Sequence, residues 1–146
     1  MIKTYWLFDT RLRVLATAAD TDGRYDLVEG WFASGTRTPP HLHRRYSEHL
    51  YVLEGEFTVW AGGRTLVLRP GDSHVIPAGV PHWVAATSSG PARGMVIASP
   101  SGFARLVAET GTPDDGSGRP PTTPPDMTRF LRVSAELGDE LEVPGG

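Results

Sequence analysis

Alternation is the dominant pattern along the first hundred residues. In RTLVLR (64–69), Leu66 and Leu68 share one face while Thr65 and Val67 share the other, the period of two that belongs to a strand. Comparable runs predict strands over 12–18, 25–32, 49–60 with a break near Gly55, 64–69, 73–77, 82–87 and 92–99. Between two of them, Ala61-Gly62-Gly63 is a hairpin signal, because glycine reaches positive φ without steric penalty. Several runs carry apolar residues on both faces, as a rolled sheet requires. With 17 glycines and 13 prolines marking short elements and tight turns, the fold class is all-β, a barrel or a sandwich.

After Ser99 the period changes. SGFARLVAETG places Phe103, Leu106 and Val107 at helical spacing, with Ser101 as N-cap and Gly111 as terminator. The stretch 112–125 holds five prolines and two glycines, which predicts an extended surface linker. A second helix follows, capped by Asp126, ended by Gly138, and carrying a stripe of Met127, Phe130, Leu131, Ser134 and Leu137. It is expected to dock back on the sheet.

Composition narrows the function classes. A chain of 146 residues suits one domain. Fourteen basic and 17 acidic residues leave a net charge of −3 with no basic stripe, so nucleic acid is not an expected partner. No apolar run approaches the roughly 18 residues of a membrane span, and charges interrupt the start MIKTYWLFDTRLRV, so no membrane association is expected and the cytoplasm is the expected location. The absence of cysteine excludes disulfides, thiolate metal sites and cysteine nucleophiles. Any metal must be held by nitrogen and oxygen.

Two segments carry such donors. In GTRTPPHLHRRYSEHLYVLEG (35–55), His41 and His43 project from one face of a strand; Glu48 reaches the same space only if the polar Arg44–Ser47 run bends the chain. In GDSHVIPAGVPHWVAA (71–86), His82 opens a strand after a tight turn. Three imidazoles and one carboxylate suit a divalent first-row metal (iron, manganese, nickel, copper or zinc) and leave coordination positions open for a substrate. His49 and His74 are expected to be ordinary surface or packing residues, Arg44 and Arg45 a solvated turn, and Tyr46, Tyr51, Phe57, Trp60 and Trp83 packing aromatics.

The spacing Gly35, His41, His43, Glu48, Gly55 followed by Gly71, Pro77, Gly79, His82 resembles the two motifs of the cupin superfamily over residues 12–99 or so, and the wording is most similar to the quercetin-dioxygenase-like group of single-domain cupins. Ala86 stands where the second motif carries asparagine, and should face the interior as His82 does. The resemblance implies a small double-stranded β-helix (jelly-roll-like) barrel over 1–100 with an N-terminal strand, followed by a helical extension over 101–146. It also implies one metal bound by His41, His43, Glu48 and His82, with Glu48 as the catalytic base. The implied activity is a metal-dependent dioxygenase acting on a small phenolic or enolic substrate. A non-redox isomerase or polyketide-type cyclase, and a small-molecule binding module without turnover, are the alternatives. Homodimers are common in such proteins, and IKTYWLF (2–8) is a candidate edge strand for a neighbouring molecule.

Overall fold

Gly62 and Gly63, at φ +58° and +81°, close the two-residue turn that the glycine pair predicts, and the strands it joins pair from Ala61 opposite Arg64 to Phe57 opposite Leu68. The computed structural model describes residues 3–141. Along them lie β1 (Lys3–Leu7), β2 (Thr10–Ala16), α1 (Ala18–Thr21), β3 (Asp26–Phe32), β4 (His41–His43), β5 (Ser47–Glu54), β6 (Phe57–Ala61) and β7 (Arg64–Leu68). There follow β8 (Ser73–Ile76), β9 (His82–Ala86), β10 (Ala92–Ser99), α2 (Phe103–Thr110), β11 (Thr112–Pro113), α3 (Met127–Glu136) and β12 (Asp139–Leu141). The strands form two antiparallel sheets, of order β11-β1-β2-β3-β10-β5-β8 and β12-β4-β9-β6-β7.

The predicted run 49–60 is two strands in different sheets, because the chain turns at Gly55. Gly55 has φ +72°, and a Cβ there would meet Pro91 O at 2.7 Å and Ala92 Cα at 2.8 Å, so the turn admits only glycine without rearrangement. β7 is covered on one side only: Leu68 is buried and Val67 exposed. β1 pairs within its own chain on both sides, with β2 along its length and with β11 at Tyr5 and Trp6. Of the stretch expected to reach a neighbouring molecule, Tyr5 and Trp6 thus have their outer edge paired within the chain; Ile2 lies outside the described residues.

Two apolar clusters fill the interior. Leu50, Val52, Phe57, Val59, Leu68, Ile76 and Ala86 pack between the sheets, and burying an aliphatic side chain such as Val59 contributes roughly 1.5–3 kcal/mol. Ala86 faces inward as expected, as part of this apolar floor. The second cluster joins Leu12, Val14 and Val28 to Leu106, Val107, Phe130 and Val133, and so seats both helices against β1–β3.

α3 turns a slightly different face inward than its predicted stripe. Phe130, Val133 and Ser134 are buried, while Met127 and Leu131 lie outside, because only the i, i+3, i+4 set meets the sheet. Ser101 does not cap α2. Its hydroxyl turns to Gly23 O, and the buried carboxylate of Asp26 accepts from the Gly102 and Ala104 amides at 2.7 and 3.0 Å instead.

Candidate metal centre

Pro39 and Pro40 bring the chain extended into β4, whose alternation sends His41 and His43 to one side. The bend expected after them is a change of sheet: β4 belongs to the five-stranded sheet and β5 to the seven-stranded one. Glu48 therefore returns to the same space from the opposite wall, buried, while His49 beside it is exposed. His82, at the start of β9, pairs directly with His41 across the ladder. One donor atom from each of His41, His43, Glu48 and His82 lies within 4.8 Å of the others, a grouping that could hold a metal ion.

Each imidazole is oriented through its Nδ1. His41 Nδ1 lies 2.7 Å from Pro39 O, His82 Nδ1 2.9 Å from Val80 O, and His43 Nδ1 2.7 Å from the Asp139 carboxylate. All three partners only accept, so each Nδ1 carries a proton and Nε2 is the nitrogen left to ligate; on His43 that nitrogen faces Glu48 and must first give up the proton it shares with the carboxylate. Glu48 Oε1 is 2.5 Å from His43 Nε2, and its Oε2 is 4.0 Å from His82 Nε2. Neither buried Nε2 makes an aligned hydrogen bond with a described residue. Three imidazoles crowd one buried carboxylate that pairs closely with His43 alone and leaves His82 Nε2 without a partner among the described residues, an arrangement that is expensive unless a cation joins the donors, so the set fits a divalent metal.

The electrostatics agree. Burial opposes ionisation of Glu48, but the imidazoles around it outweigh burial and hold its carboxyl down to about 2. His41 is pushed down to about 4 by burial and by the neighbouring His82 and His43. For His43 burial acts downward as well, yet Glu48 and Asp139 on either side raise it to about 9. In the metal-free protein a proton on His43 thus occupies part of the cation's electrostatic role.

Two cavities meet at His41. One, of about 100 Å³, runs into the barrel past Glu48 and His82 and is walled by Leu50, Phe57 and Val84. The other, of about 180 Å³, lies under the helices against His43, Phe103, Phe130 and Ser134 and reaches the surface by Phe8 and Arg37. Both walls are chiefly apolar, which suits a small organic molecule with few polar groups.

The sequence points to the four clustered donors and to Tyr46 as a packing aromatic, though not to the ring it packs on, and gives no role to Asp139. Tyr46 is a buried packing residue as expected, and what it packs on is His43, with ring centroids 4.4 Å apart and planes at 21°. Asp139 lies 96 residues along the chain from its histidine. The only trace of its position is the basic pair Arg44-Arg45, which is more than a solvated turn: Arg44 forms a two-pronged ion pair with Glu140, at 2.7 and 2.8 Å, and Arg45 donates to Glu136 O.

Comparison with known proteins places these features. A family described as the cupin domain matches residues 31–98. Quercetin 2,3-dioxygenase of Bacillus subtilis (strain 168) is 36% identical over 70 residues, which is 48% of this chain but only 21% of that protein, so the chain spans about a fifth of that relative's length. Among solved structures, the polyketide cyclase RemF from Streptomyces resistomycificus superposes with a TM-score of 0.59 at 30% identity, over 67% of this chain and 73% of that one. KdgF from Halomonas sp. gives 0.59 at 24% identity, over 66% and 84%, a likeness of fold alone. Motif spacing, barrel and family match agree: the chain belongs to the cupins, with a quercetin 2,3-dioxygenase among its relatives.

Proposed function

We propose that His41, His43, Glu48 and His82 hold one divalent transition metal (iron, manganese, nickel, copper or zinc), and that the protein is a dioxygenase of a small phenolic or enolic compound. The observation that carries this reading is the convergence of three imidazoles on one buried carboxylate, all within 4.8 Å of one another, at the junction of two apolar cavities. Identity to a quercetin 2,3-dioxygenase supports the substrate class. When bound, such an ion supplies positive charge for an enolate oxygen and, for redox-active metals, electrons.

The chain's own residues do the rest. Glu48 is ionised at neutral pH, and its Oε2, the oxygen farther from a histidine, is the atom placed to take a substrate proton. The acceptors on Nδ1 keep each imidazole from turning. Phe32, Phe57 and Phe103 hold a flat apolar body and exclude water from the reacting end.

A second reading keeps the metal as a Lewis acid without redox, giving a cyclase or isomerase, and is favoured by the 30% identity to a polyketide cyclase. The two separate on oxygen. Protein loaded with each metal in turn is mixed anaerobically with quercetin, and oxygen is then admitted. Uptake of oxygen with loss of the flavonol band supports the dioxygenase, and loss of the band before oxygen supports the non-redox reading. Binding without either change makes the barrel a binding module, and His43→Ala protein is the metal-free control.

A further inference from the structure

The three histidines are alike in position but not in what holds them. His41 and His82 give their Nδ1 protons to main-chain carbonyls, and His43 gives its proton to a carboxylate. That carboxylate comes from β12, outside the 31–98 segment that matches the cupin family. We propose that Asp139 is a positioning residue of the metal centre: it fixes the tautomer and orientation of His43 and, through its negative charge, makes this imidazole the strongest nitrogen donor of the set. The inference rests on the metal-centre reading above.

Asp139 is placed for this with little freedom. Its side chain is only 5% exposed and its Oδ1 lies 2.7 Å from His43 Nδ1. β12 pairs with β4 so that Asp139 stands opposite His43, Glu140 opposite Leu42 and Leu141 opposite His41. Gly138 O accepts from Arg44 N at 3.1 Å, and Glu140 pairs with Arg44, so the strand is fastened on both sides of Asp139. An anionic acceptor on the far nitrogen raises the basicity of a ligating imidazole more than a carbonyl does, and loss of such a partner typically weakens metal binding about 10- to 100-fold.

The test uses metal alone, as cobalt(II) titrated into the full chain and followed by its visible absorption and by competition with a chromophoric chelator. Asp139→Ala is expected to bind cobalt about 10- to 100-fold more weakly with an altered absorption band. Asp139→Asn, which still accepts from Nδ1 but carries no charge, is expected to fall between that variant and the wild type. Glu140→Ala loosens the same strand without touching His43 and is expected to bind like the wild type. Thermal melts of the metal-free proteins show which variants fold, and if the alanine variant does not, the asparagine variant decides. The proposal is overturned if the folded Asp139 variants match the wild type, or if Glu140→Ala weakens binding as much as Asp139→Ala. If the wild type itself takes up no cobalt, the metal-centre reading falls first and this one with it.

Discussion

Replacing Gly102 by alanine tests how far the proposed metal centre depends on the packing behind His43. Gly102 has φ −176°, outside the left-handed region, and a side chain there meets a penalty of contact. A Cβ there would stand 2.7 Å from Cδ1 and Cε1 of Tyr46, and ordinary contact begins at 3.4 Å, so the ring must retreat by about 0.7 Å, the difference of the two. It has little room: Tyr46 is 2% exposed and lies face-on against His43. Overpacking of this kind costs about 1–3 kcal/mol, which for a chain of this length lowers Tm by about 2–12 °C. The displaced ring shifts His43, so cobalt affinity is expected to fall in the same variant. Thermal denaturation of the metal-free protein, paired with cobalt titration, reads both effects. A variant that melts with the wild type and binds cobalt equally well would refute the claim that Tyr46 transmits packing to the ligand.

Three further outcomes are expected. Because His43 is held up to about 9 by Glu48 and Asp139, protons compete with the metal well above the ordinary histidine value near 6.5. Affinity should therefore fall about tenfold per pH unit from pH 8.5 to 7; calorimetry that finds no proton release at pH 7.5 contradicts it. Burial raises the Asp26 carboxyl against the pull of the α2 amides. A raised folded value means stability that is full below the unfolded value near 3.9 and is lost as pH climbs through the folded one. Asp26→Asn should thus gain on the wild type in urea melts between pH 4 and 7, and parallel curves would speak against it. Ser134 buries a hydroxyl without a partner among the described residues, so Ser134→Ala is expected to raise Tm, by about 1 kcal/mol of stability, and a lowered Tm would show that the hydroxyl is satisfied.

What could be read from the sequence was whatever local spacing determines. The His41–His43 pair, the bend before Glu48 and the turn before His82 are each set within a few residues, so the donors that converge could be named before their convergence was seen. The Gly62-Gly63 turn was legible for the same reason. Partners brought from a distance were not. Asp139 for His43, Asp26 for the α2 amides, and β11 for β1 are long-range choices made by the packing of the C-terminal segment. The α3 stripe shows the intermediate case: its period was readable, but which apolar residues faced inward depended on the sheet beneath it.

The donors also do not all stand on one wall. Three imidazoles belong to the five-stranded sheet and the carboxylate to the other, so an ion shared among them is a cross-brace between two layers that are otherwise joined there by side-chain packing. Loading should then strengthen the whole barrel, by about 2.7 kcal/mol when free metal is a hundred times its dissociation constant. The melting temperature becomes a gauge of occupancy that needs no substrate and no knowledge of the reaction.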